Sequence, residues 1–181
     1  MATATEQTFQ QFLQELAREQ GGQEVLARRR EWVAAVERLL EQLTAWLREA
    51  DAGKVLEIDR TEVERAEAGL GRYTAPGLSV GVGRVRSQVA AVGRNTRHLP
   101  ASLAVAVAHA TGRVDDFERA WTPAGQVEVS SRFDRWSLFR LLGPEAAEDW
   151  WAFKSGATAS EDQAGRLTKA MAETVFRDVL S

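Results

Sequence analysis

Apolar positions fall into two rhythms along the chain, and the change of rhythm divides it. From the N-terminus to about residue 51 they recur every three or four residues, the period of a helix with one buried face. Phe9, Phe12, Leu13 and Leu16 share such a face. Thr3 and Glu6 have the spacing of a capping box, in which each side chain satisfies an orphan amide of the first turn. A first helix is therefore expected over 3–20, ending at Gly21-Gly22. A second, longer one is expected over 23–51, with Trp32, Val33, Val36, Leu39, Leu40, Leu43, Trp46 and Leu47 as its apolar positions. Residues 32, 36, 39, 43, 46 and 50 alternate steps of four and three, the seam spacing of a coiled coil. Val33, Leu40 and Leu47 widen that seam into a face. Two helices joined at the glycine pair would form an antiparallel hairpin.

Beyond residue 53 the rhythm becomes alternation, the period of strands. It runs through Leu56 and Ile58; Leu78, Val80 and Val82; Val85, Ser87, Val89 and Ala91; Val127 and Val129; and Trp136 to Leu142. Turn signals separate the runs at Pro76-Gly77, Gly93-Arg94-Asn95, Thr111-Gly112, Pro123-Ala124-Gly125 and Gly143-Pro144. The alanine-rich 102–110 reads as a strand or a buried helix. Gly69-Leu-Gly and Gly81-Val-Gly lack phosphate-loop spacing and read as turns or bulges. Ser160 and Gln163 again have capping-box spacing, so a terminal helix is expected over 161–180, with Leu167, Met171, Thr174, Val175 and Val179 inward. The expected fold is α+β. A helical hairpin arm (1–52) precedes an antiparallel sheet or half-open barrel with a C-terminal helix (53–181).

The chain has 181 residues, 44% hydrophobic and 27% charged, with a net charge of −3. That balance is globular and gives no bulk attraction to nucleic acid. The absence of cysteine removes disulfides, thiolate metal sites and thiol nucleophiles together. No signal-peptide pattern opens the sequence and no run reaches membrane-helix length. A cytoplasmic location, no membrane association, no cofactor and no bound metal are the resulting expectations.

Charge is unevenly spread. No acid lies between Glu67 and Asp115, a stretch holding Arg72, Arg84, Arg86, Arg94, Arg97 and Arg113 with His98 and His109. The flanks are net acidic. Arg84, Arg86, Arg94, Arg97 and His98 are therefore the candidate anion-binding set, facing phosphate, nucleic acid or an acidic partner. The competing reading pairs those arginines with the chain's own acids. His98 and His109 match no metal-ligand spacing; His109 ends an apolar run and reads as a core or rim residue. Adjacent acids at Asp115-Asp116 and Glu148-Asp149 would point to opposite faces of a strand and chelate poorly. Nucleophile and nucleotide motifs are absent.

Trp150 and Trp151 cannot both enter one core if they lie on a strand, so one faces a helix or a partner. The long apolar face and this pair make the candidate interaction set: Trp32, Val36, Leu39, Leu43, Trp46, Trp150 and Trp151. The functional expectation is a non-catalytic interaction or assembly protein that binds another protein or itself. A phosphate or nucleic-acid binding module is the alternative, and a small enzyme with a scattered site the second alternative.

Overall fold

The computed structural model describes residues 8–96, 98–111 and 121–181. Thr3, Glu6, Arg97, Arg113 and Asp115-Asp116 lie outside them.

One helix, α1, runs from Phe9 to Ala50. Thr8 caps it, accepting from the Gln11 amide while the Gln11 side chain returns to the Thr8 amide. The expected break at Gly21-Gly22 does not occur, so there is no hairpin. Glycine weakens a helix interior but still supplies both backbone hydrogen bonds. No proline or left-handed residue follows to turn the chain away, and Asp51 ends the helix instead.

Seven strands follow in antiparallel succession: β1 (Glu57–Glu67), β2 (Gly71–Val82), β3 (Val85–Gly93), β4 (Thr122–Ser130), β5 (Arg135–Leu142), β6 (Glu148–Lys154) and β7 (Gln163–Arg166). Their order in the sheet is their order in the chain, leaving β1 and β7 as open edges. The exposed length of β1 is studded with Glu57, Asp59, Arg60, Glu62 and Glu64, charges that oppose pairing with another strand. Helix α2 (Ala101–Thr111) leaves the β3 end, so the ambiguous alanine-rich run is helical. Alanine is the strongest helix former, and Leu103 and Val107 lie one turn apart on its buried side. The terminal helix, α3, spans only Lys169–Val179. Thr168 is its cap, accepting from the Met171 amide. Residues expected in its first turns instead form a short 3₁₀ turn and β7, because Gln163 to Arg166 pair with β6. Thr174, expected inward, is exposed.

The sheet is covered on both faces. On one, Trp32, Val36, Leu39, Leu40, Leu43 and Leu47 of α1 share a core with Tyr73, Val80, Val89, Val127, Val129, Trp136, Leu138, Trp150 and Ala152. Val175, Phe176 and Val179 of α3 join it. On the other, Leu103 and Val107 of α2 pack on Phe139, Leu141, Trp151 and Phe153. Neighbouring strand residues alternate faces, so Trp150 goes to α1 and Trp151 to α2.

In β2 the inward parity changes. Tyr73 and Ala75 are buried before Pro76-Gly77, and Leu78 and Val80 after it. A Cβ at Gly77 would lie 2.7 Å from both Thr61 Oγ1 and the Val89 carbonyl oxygen, so only glycine fits the step. Gly125, at a shift of register in β4, has φ 148° and lies under Trp32; a Cβ there would lie 2.1 Å from the indole ring. The sheet is thus shaped to receive one large side chain of α1.

Candidate functional site

Two structures are built around α1: a polar network where it meets the sheet, and an uncovered arm where it leaves it.

The network centres on Trp32, fully buried and stacked on Trp150 with ring centroids 6.3 Å apart. Its indole N–H donates to the Tyr73 hydroxyl oxygen at 3.1 Å, and that hydroxyl donates to Glu67. The backbone amides of Arg94 and Asn95 donate to the same carboxylate at 3.0 Å. Burial and the hydrogen bond to Glu67 push the Tyr73 pKa far up, so the phenol stays protonated.

Arg140 of β5 projects on the same face and is 2% exposed. It donates to Glu31 of α1 and, through Nε at 2.8 Å, to Glu148 of β6. Arg38 reaches Glu148 at 3.0 Å, and Arg94 Nε lies 3.6 Å from Glu31. Burial alone would raise the Glu31 pKa, but the hydrogen bond and charge of Arg140, then Arg94, outweigh it and the net shift is downward. Burial likewise disfavours charged Arg140, and Glu31 and Glu148 reverse that. Arg94 Nε and Arg140 Nη1 are buried without a hydrogen-bond partner, so the cluster has donors in excess of acceptors. Every charged member joins α1 to the sheet or one strand to the next. At the far end, Lys154 binds Asp134 at 2.7 Å and Asp178 of α3, while Trp136 donates to Asp178 at 2.8 Å.

The expected interaction residues lie inside this assembly. Trp32, Val36, Leu39 and Leu43 are buried against the chain's own sheet, and Trp46 is half-buried against the same core. Trp150 and Trp151 are buried on opposite faces. This apolar face of α1 is covered by the chain's own sheet.

The expected anion-binding residues do not converge. Arg84 is exposed in the turn between β2 and β3, and Arg86 pairs with Glu57 and Asp59. Arg94, at the opposite end of β3, is eight residues from Arg86, about 26 Å along a strand. His98 is exposed beside a 630 Å³ open groove whose carboxylate, Glu67, is already saturated by Tyr73, Arg94 and Asn95. His109, expected in the core or at its rim, is exposed on α2. Among the described residues no group of histidines and acids is arranged to hold a metal ion, and no helix is long and apolar enough to cross a membrane.

The arm is the part of α1 before the sheet. Among the described side chains of α1, Trp32 is the first that is buried, and those from Phe9 to Glu24 are all exposed. Phe9 is 74% exposed, Phe12 48%, Leu13 46% and Leu26 44%. Phe9 and Phe12 stack on each other at 6.3 Å. Twenty-seven residues separate Phe9 from Val36, Phe12 from Leu39 and Leu13 from Leu40. That is about seven and a half turns at 3.6 residues per turn, so the arm's apolar face points half a turn away from the docked face. The sheet would not cover it even if it reached further. This offset is written in the sequence but is meaningful only once the helix is known to be continuous.

No protein-family model, no curated protein and no solved structure matches the chain.

Proposed function

We propose that this is a non-catalytic interaction or assembly protein whose association surface is the projecting end of α1. The observation that carries the reading is the exposed apolar face of Phe9, Phe12 and Leu13, on the end of α1 where the apolar stripe points half a turn away from the chain's own sheet. Large apolar side chains grouped on one exposed face mark association sites more often than scattered ones do. The engagement of the buried ionisable groups in holding α1 to the sheet supports a scaffold role for the rest of the chain. The sheet fixes the helix, and the helix presents the arm.

The test compares wild type with a Phe12→Glu/Leu13→Glu variant. Both substitutions lie on exposed positions, so the tryptophan near-UV signal of the sheet core should be unchanged. Affinity purification of both proteins from their native source should recover an associated chain with wild type and lose it with the variant. The same associations from both would remove the arm from the account.

A further inference from the structure

We propose that the cleft between α1 and β6 binds a carbohydrate, with one sugar ring laid against Trp46 and Trp150.

Arg38, Gln42 and Trp46 follow one another at steps of four, so they line one edge of α1, beside the docked Leu39 and Leu43. On β6 the parity that turns Trp150 towards α1 brings Glu148 to the same side. An open cleft of 260 Å³ lies between the two rows, and these five residues line it. Asp149 also reaches it, but its carboxylate is taken by Arg166 and the Trp151 indole.

The cleft holds unused polar groups beside two indoles. The N–H groups of Trp32, Trp136 and Trp151 each donate within the chain. Those of Trp46 and Trp150 find no acceptor among the described residues, and neither is sealed from solvent. The exposed Gln42 amide is also without a partner among the described residues. Glu148 takes the hydrogen bonds of Arg38 and Arg140 all on Oε2, which leaves Oε1 without a hydrogen-bond partner among the described residues. Trp46, Trp150 and Arg38 therefore offer donors, Glu148 offers an acceptor, and Gln42 offers both.

That mixture selects the class of ligand. The charges in the lining are already met, Arg38 by Glu148 at 3.0 Å and Asp149 by Arg166 at 2.9 Å. A cation seated on the indoles would meet Arg38, and an anion would meet Glu148. A sugar is neutral, and each of its hydroxyls both donates and accepts, so neighbouring hydroxyls can bridge Arg38, Gln42 and Glu148. The C–H face of its ring is apolar and packs on an indole. The volume is at the small end for ligand pockets, which suits one ring, and the open mouth lets further rings extend into solvent. The site is also held in place. Trp150 stacks on Trp32, and Glu148 is anchored by the buried Arg140.

The six indole N–H signals in a proton–nitrogen correlation spectrum give a residue-specific test. The probes are the methyl glycosides of common hexoses, N-acetylhexosamines and pentoses. At least one should shift the Trp46 and Trp150 signals and leave Trp136 unmoved. Its dissociation constant should be millimolar, because a ligand of few atoms gains few contacts. Gln42→Ala changes an exposed side chain that holds nothing in place, so the fold should stand while binding weakens about tenfold for one lost hydrogen bond. Trp46→Leu should abolish binding. Tetramethylammonium and adenosine should leave both signals in place. No shift with any glycoside would overturn the proposal. A shift with tetramethylammonium or adenosine alone would overturn it too, giving the cleft to a cation or a base. A glycoside shift that Gln42→Ala and Trp46→Leu both leave at wild-type strength would place the sugar elsewhere, with the same consequence.

Discussion

The two halves of α1 have similar apolar patterns and opposite fates. Residues 32–47 hide theirs under a seven-stranded sheet, while Phe9, Phe12, Leu13 and Leu26 are exposed to solvent. The docked half is held by apolar burial, worth about 1.5–3 kcal/mol for each large side chain, and by polar links at Trp32, Glu31 and Arg38. The arm carries its cap and the exposed ion pair Glu24–Arg28. Helical periodicity states that a face will be buried. It does not state by what, and a half-turn offset within one helix is enough to send two stripes to different partners.

The sharpest way to break the comparison is to cut the docked half. Trp32→Ala should cost about 3–5 kcal/mol in chemical denaturation, since the indole is fully buried and Gly125 and Trp150 are shaped around it. Gly125→Ala should cost about 1–3 kcal/mol from overpacking alone, and its φ of 148° adds strain in the same direction. Tyr73→Phe should cost about 1–3 kcal/mol in the same assay, because it leaves the buried Trp32 N–H without an acceptor.

The pH response sharpens the comparison further. Glu31 and Asp178 have lowered folded pKa values, so both release protons more readily folded than unfolded. Their contribution is present above the unfolded values of about 4.3 and 3.9 and is lost as pH falls through the lower folded ones. Tyr73 is raised, so its contribution is present below about pH 10 and lost as pH rises above that. Thermal melts across pH should fall at both ends. Glu31→Gln should flatten the acid limb and Tyr73→Phe the alkaline one. The smallest effect belongs to the arm: Phe9→Ala should change the stability of the monomer by less than about 0.5 kcal/mol, measured in dilute solution.

Much of this architecture was legible in the sequence, for reasons that differ by element. The alternation around Val80, Val89 and Val129 is local, and antiparallel neighbours joined by short turns pair with little ambiguity. Local signals misled where two meanings share one pattern. Gly21-Gly22 reads as a stop but sits inside a helix, and Ser160 with Gln163 has capping-box spacing where Thr168 supplies the cap. The site was the least legible part. Arg140 meets Glu31 across 109 positions and Tyr73 meets Trp32 across 41, distances that no periodicity encodes. The arginine-rich stretch reads as one patch because sequence ignores the length of β3, which holds Arg86 and Arg94 apart.

Amide hydrogen exchange along α1 tests the central claim most directly, because it reads both halves of the helix in one experiment. The account predicts that residues 32–47 exchange only through global unfolding. Residues 9–28 should exchange much faster, through local opening of the uncovered arm. Uniform exchange along α1 would contradict it.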